Sequence, residues 1–338
     1  MEKRTRILLA LVLIVGMASE TWLLTHPRDL LFHGKPEIFW ITNIVYYGGD
    51  EQTKPWRDLG PDGVRLLARA VGKSDSVLQR AYRKTYYRFS HKLPAFLVTR
   101  LPKPPERRWT RLCVLSLLRG LDKDAKLAEP AIARAMKDSD DSVRQIAIGC
   151  YEGLLPAMSP VEKNRRLPEF LRGMRSTRSG IRNNSAVALW HFPDHARTVG
   201  PVLVKAMSEP DDRVRILIAK ALAHVDPQAA VKAGVVTIAI QFLKDPDDQI
   251  AYQAAEMLGE MAAEPTLSVP ALLERAQGTN SLVATFSLRA LSSFPDQADT
   301  IVPVLLKAAE NPDRSIRKTA LSALKRVDAA AAAKAGVK

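Results

Sequence analysis

The sequence predicts an all-α fold, a right-handed α-solenoid or superhelix of about eight helix pairs over residues 60–338. Three observations predict it. A unit recurs along the chain at a period of about 33 to 38 residues. Each clear copy holds a proline, and a Val or Ile anchor follows 13 residues later: Pro130 and Val143, Pro168 and Ile181, Pro201 and Val214, Pro270 and Val283, Pro303 and Ile316. Beyond the anchors, apolar or small residues fall at offsets 4, 7 and 8, which mark one face of a helix.

The anchor helices read alike. Val143 is followed by Ala147, Cys150 and Tyr151, and Val214 by Ile218, Ala221 and Leu222. Ile250 leads to Ala254, Met257 and Leu258, and Ile316 to Ala320, Ala323 and Leu324. These alanines are expected to be buried. An aspartate two places before three anchors, Asp141, Asp212 and Asp248, is expected to cap the helix. The stretch before each anchor is also helical, with its proline expected in the first turn, where a missing N–H costs nothing. Turn residues such as Glu209-Pro-Asp-Asp212 and Glu310-Asn-Pro-Asp313 divide the two helices.

Weaker copies extend the array toward the N-terminus. Pro61 leads to Val77 and Pro94 to Trp109, and Thr237 stands where the sixth copy needs proline. The anchors are then residues 77, 109, 143, 181, 214, 250, 283 and 316. Val327–Val337 closes the last copy as Val225–Val235 closes the fifth. That end is expected to fray or to be covered by a partner, since terminal repeats need a cap.

These motifs resemble the HEAT repeat family. Asp141-Ser-Val-Arg144 and Asp212-Arg-Val-Arg215 match the opening of its second helix; Asp248-Gln-Ile-Ala251 lacks the arginine, and Asp313-Arg-Ser-Ile-Arg317 has one residue added. The resemblance implies two antiparallel helices per unit and says little about activity. Arg144, Arg182, Arg215 and Arg317 recur at one offset, and a ladder with turn carboxylates is expected of them.

The N-terminus points outside the cytoplasm, as in a membrane-anchored or exported bacterial protein. Lys3, Arg4 and Arg6 precede the apolar run Ile7–Ala18. Residues 1–24 read as an uncleaved single-span anchor continued by Trp22-Leu-Leu24, or as a signal cleaved after Ala18. The basic flank would stay cytoplasmic and the array outside. Residues 25–59 are expected to be a linker with a capping helix over 36–46, Trp40 being a core or a surface residue, and a loop over 47–55.

Charge is uneven. The chain carries a net +14, and residues 51–120 hold 16 Lys/Arg against 5 Asp/Glu. The densest stretch places Arg80, Arg83, Lys84, Arg88 and Lys92 among Tyr82, Tyr86, Tyr87 and Phe89. Cations with aromatics suit an anionic lipid layer or phosphates with stacking, and these five are the candidate anionic-surface residues. The same pattern fits a solvated helix face with its aromatics in the core.

No catalytic or metal motif appears. The histidines lack the following glutamate that holds iron in HEAT-like hydroxylases, and His191-Phe-Pro-Asp-His195 has Pro193 against helical presentation. Cys113 and Cys150 occupy positions filled elsewhere by small core residues. The sequence therefore reads as a non-enzymatic scaffold for a protein partner or an anionic surface. No cofactor, metal or nucleic acid is expected. The alternative is a divergent HEAT-like enzyme similar to the phycobilin lyases, or a nucleic-acid binder like HEAT-fold DNA glycosylases.

Overall fold

The computed structural model describes residues 30–73, 77–99, 101, 103–104 and 107–334. The run 1–24 lies outside the described residues. Within them, no helix is long and apolar enough to cross a membrane. The chain divides into two compact units, Met1–Ser159 and Pro160–Lys338. As expected, it is an all-α solenoid fold built from stacked helix pairs.

The first unit opens with a small hairpin, β1 (Leu31–Phe32) and β2 (Lys35–Pro36), turned by His33 and Gly34 at positive φ. Then come α1 (Glu37–Thr42), α2 (Gly49–Asp58), α3 (Gly60–Gly72), α4 (Val77–Phe89), α5 (Ala95–Val98) and α6 (Arg107–Leu121). A 3-10 stretch, Asp122–Ala128, leads to α7 (Glu129–Ala135) and α8 (Asp141–Leu154). α7 and α8 form a repeat pair, and α6 packs beside α8.

The sequence reading goes wrong between the anchors at 77 and 109. They do not open two separate pairs. α3 buries Val64, Leu66, Leu67 and Val71, and it packs on α6 and α7. It therefore takes the first-helix place beside α6, and residues 73–106 are an insertion inside one repeat. α4 buries Tyr82 and Tyr86 against Val98 and Leu101, in a small cluster of its own. Trp109 is 53% exposed and stacks on Tyr46 at 5.6 Å, while Leu112 and Cys113 enter the core.

The loop expected over 47–55 is mostly helix. Thr53 and Trp56 are buried from α2, which packs on α6, and the Gln52 amide bonds both the N–H (2.8 Å) and the C=O (3.0 Å) of Val45. Burial of those side chains overrides the Gly-Gly and Pro55 signals. α1 is shorter than the expected capping helix. Its Glu37 is buried and ion-paired with Arg69 of α3, and half-buried Trp40 donates to the Phe32 carbonyl at 2.9 Å.

The second unit holds five pairs: α9 (Pro160–Gly173) with α10 (Ser179–Leu189), α11 (Ala196–Ala206) with α12 (Asp212–Val225), and, after a short α13 (Pro227–Lys232), α14 (Val235–Phe242) with α15 (Asp248–Met261). α16 (Pro265–Ala276) with α17 (Ser281–Leu291) and α18 (Ala298–Ala309) with α19 (Arg314–Val327) complete the set. α20 (Ala329–Lys334) follows. The second helices α10, α12, α15, α17 and α19 pack on one another in chain order. Their anchors Ile181, Val214, Ile250, Val283 and Ile316 are all buried, as are Ala254 and Ala320; in the first unit so are Val143 and Ala147. Small residues allow the close spacing. A Cβ on Gly259 of α15 would lie 2.7 Å from the Cα of Ala290 in α17.

Two expectations shift in register. Pro130 does lie in a first turn, but Pro168, Pro201, Pro270 and Pro303 sit inside their helices. Buried Val199 and Ile301, just upstream of two of them, draw the preceding turn into the helix despite the lost backbone bond. The caps are not Asp141, Asp212 and Asp248. They are Asp140, Asp211, Asp247, Asn280 and Asp313, three residues before each anchor. A capping side chain reaches N–H groups two and three residues ahead, so it must stand that far back. Asp313, which seemed displaced by an added residue, is in register with the true caps.

Candidate functional site

The five predicted cations belong to the insertion. Val77–Phe89 is amphipathic, with Tyr82 and Tyr86, four residues apart, turned into the local cluster. Burial, together with the neighbouring Tyr86, raises the Tyr82 phenol above its ordinary value. Lys84, Tyr87 and Arg88 are exposed, and at this spacing they share the outward face. The Arg88 guanidinium stands 5.7 Å from the Phe89 ring. Arg83 is half-buried. The backbones of Arg80 and Lys92 lie in α4 and the following 3-10 turn, and their side chains fall outside the described residues. The aromatics thus divide: two hold the segment together, and Tyr87 stands outside among the cations.

A further hollow in the first unit lies elsewhere. A cleft of about 1100 Å³ opens between α2, the C-terminal ends of α6 and α8 and the 3-10 stretch. Its wall mixes signs, with Arg57, Arg119 and Lys123 near Asp50, Asp122 and Glu152. Arg57 donates to the Gly120 carbonyl at 2.8 Å and lies 3.6 Å from Asp124. At the rim, burial raises the Tyr46 phenol above its ordinary value, Tyr47 adds to this and Arg119 opposes it. Sequence reading missed this cleft because its floor includes the segment taken for loop; the glycines at 48, 49, 120, 149 and 153 were the available signal.

The arginine ladder forms, with mixed partners. Arg144 pairs with Asp141 and Arg215 with Asp212, each within its own first turn. Arg182 reaches Glu209 of the next repeat, whereas Arg317 takes the carbonyl of Asn311 at 2.7 Å. A second set of rungs joins repeats through the caps. Arg108 donates to Asp140 (2.6 Å), Arg213 to Asp247 (3.0 Å) and Ser281 to Asp313 (2.5 Å). Burial works against charge on Asp140, but Arg108 and the helix N–H groups outweigh it and hold its carboxyl below the ordinary value.

Residues 200–292 match the family model for HEAT repeats. That stretch of the chain carries HEAT repeats. The match covers α12, α15 and α17 with their anchors Val214, Ile250 and Val283, and it includes Asp212-Arg-Val-Arg215, one of the two full Asp-x-Val-Arg openings. A crystal structure of an engineered protein from the Northeast Structural Genomics Consortium is similar, at 19% identity and a TM-score of 0.53, over 88% of this chain and 87% of that one. A second engineered protein from the same consortium aligns at 16% identity and a TM-score of 0.47, over 59% of this chain and 97% of that one. At 19% identity the first likeness speaks for the fold alone. No curated protein matches the chain. HEAT repeats generally serve as scaffolds for protein interaction, because stacked helix pairs present long continuous surfaces.

Among the described residues, no group of three or more His, Cys, Asp or Glu side chains is placed to hold a metal ion. His195 instead bonds Asn164 at 2.7 Å, and His224 packs edge-on against Trp190. Cys113 and Cys150 are free and buried, and burial pushes both thiols above their ordinary value.

Proposed function

We propose that this chain is a non-enzymatic scaffold whose HEAT repeats take a protein partner and whose α4 insertion binds an anionic surface outside the cytoplasm. The surface is a lipid headgroup layer or an acidic envelope polymer. The observation that carries this reading is the outward face of α4, where Lys84 and Arg88 flank Tyr87. Cations meet phosphate or carboxylate groups, and a phenol sits well at a headgroup boundary. The insertion is not needed to continue the stack, since α3 and α6 already pair across it. Its exposed cations Lys84 and Arg88 can therefore face a partner. The basic flank and apolar run at the N-terminus support placement at the outer face of a membrane.

The test is binding of the full chain to vesicles containing phosphatidylglycerol. Lys84→Gln with Arg88→Gln should weaken binding several-fold, with unchanged circular dichroism. Arg314→Gln with Lys318→Gln should have little effect. Arg213 and Lys220 are unsuitable controls, because they pair with Asp247 and Glu256. Equal loss from both pairs of substitutions would mean that diffuse charge suffices.

A further inference from the structure

We infer that residues 30–40 form a membrane-interface foot, which seats the first unit on a lipid bilayer through apolar and aromatic side chains. The inference rests on the membrane placement proposed above.

Leu30, Leu31, Ile38 and Phe39 are 63%, 69%, 55% and 44% exposed within one short segment. A soluble surface rarely gathers so many large apolar groups in so few residues. Their exposure is built in. The Glu37 N–H donates to the Leu30 carbonyl at 3.0 Å, so the chain before the hairpin is tied to the start of α1. Glu37 and Ile41 take the inward face of α1, and Glu37 is locked by Arg69 and Lys73. Ile38 and Phe39 are thereby turned outward. The aromatic groups interlock: the Trp40 ring meets Phe32 at 5.7 Å and Phe39 at 6.0 Å, and its indole N–H is already satisfied by the Phe32 carbonyl. Lys35 lies 4.2 Å from the centre of the Phe39 ring. Aliphatic groups beside Trp and Phe, with a lysine among them, suit the boundary between headgroups and acyl chains.

Chain length favours lipid as the occupant. As an uncleaved anchor the apolar run continues through Trp22-Leu-Leu24, so five residues, 25–29, separate its end from Leu30. At full extension those residues and the bonds flanking them span roughly 20 Å. If the run enters a bilayer, the foot is tethered within reach of the headgroup layer. Burying the patch there is favourable at about 25 cal/mol per Å² of apolar surface.

The test is depth measurement by spin labelling of the full chain on phosphatidylglycerol-containing vesicles. Native Cys113 and Cys150 are buried, so Leu31→Cys and Phe39→Cys introduce the accessible thiols, with Leu282→Cys as an exposed control in the second unit. On vesicles, the labels at 31 and 39 should lose access to a water-soluble nickel chelate and gain collisions with dissolved oxygen. The label at 282 should stay open to the chelate. Chelate access at 31 and 39 equal to that at 282, on protein that sediments with the vesicles, overturns the foot and leaves the membrane placement standing. Labels at 31 and 39 shielded in plain buffer overturn it in favour of a protein cover, either the chain's own residues 7–24 or a second copy. Failure of the full chain to associate with vesicles overturns both readings.

Discussion

Arg182 grips Glu209 across two neighbouring repeats, its Nε 2.6 Å from Oε2 and its Nη2 2.7 Å from Oε1. The same guanidinium donates to the Ser176 carbonyl, and Glu209 accepts from the N–H of Asp211, the cap of α12. One bidentate pair thus ties a turn of one repeat to the helix start of the next. Both side chains are largely buried. Arg182→Ala leaves a buried carboxylate without its partner and should cost about 3–5 kcal/mol, measured by chemical denaturation at pH 7.

The same pair sets a pH dependence. The Arg182 hydrogen bond holds the Glu209 carboxyl below its ordinary value, against the opposing effect of burial. The folded state binds that proton less readily than the unfolded state does. The stability it contributes is present above the ordinary glutamate range and is lost as pH falls through the depressed folded value. Glu209→Gln should therefore lie well below the wild type at pH 7. The gap should narrow as both are titrated into acid, and a constant gap would contradict the linkage.

The caps give a register test. Asp211→Ala removes the acceptor for the Arg213 N–H and should cost ~0.5–2 kcal/mol. Asp212→Ala removes a half-exposed pair with Arg215 within one turn and should cost less, ~0.5 kcal/mol. Thermal melts of the two variants distinguish them, and a larger loss at Asp212 would restore the register first read from the sequence.

Much of the fold was legible because the solenoid repeats its physics. Each anchor and its alanines recur at helical spacing, so Ala147, Ala254 and Ala320 could be placed in the core without coordinates. Register was less legible, since adjacent aspartates such as Asp140 and Asp141 look alike until the capping geometry chooses between them. The insertion was illegible for another reason. The pairing of α3 with α6 spans residues 73–106, and a periodic reading has no term for a partner that far away. The cations of α4 were visible in the sequence, but which of its tyrosines face outward depended on Val98 and Leu101.

Gly259 probes the closest helix approach. Gly259→Ala places a methyl group 2.7 Å from the Ala290 Cα and 2.9 Å from its Cβ, so α15 and α17 must separate. Overpacking of this kind costs about 1–3 kcal/mol. A variant as stable as the wild type in denaturant titration would mean that the two helices pack less tightly than this.

Topology follows from the basic flank of the apolar run. A reporter fused after Lys338 that is active only outside the cytoplasm should be active, and the repeats should be digested by protease added to spheroplasts. Protection of the repeats with the outer barrier removed would place them in the cytoplasm and return nucleic acid to consideration as a partner.

The central claim is that α4 engages an anionic surface by charge, and salt-dependent vesicle binding of the full chain tests it most directly. Binding to phosphatidylglycerol vesicles should fall steeply between 0.1 M and 1 M salt, as the screening length shrinks from about 10 Å to about 3 Å. Whatever binding survives high salt should be the apolar share, and it should no longer distinguish the wild type from the Lys84→Gln, Arg88→Gln variant. Binding that is equally strong on neutral and anionic vesicles and indifferent to salt would contradict the claim and leave α4 a solvated helix face.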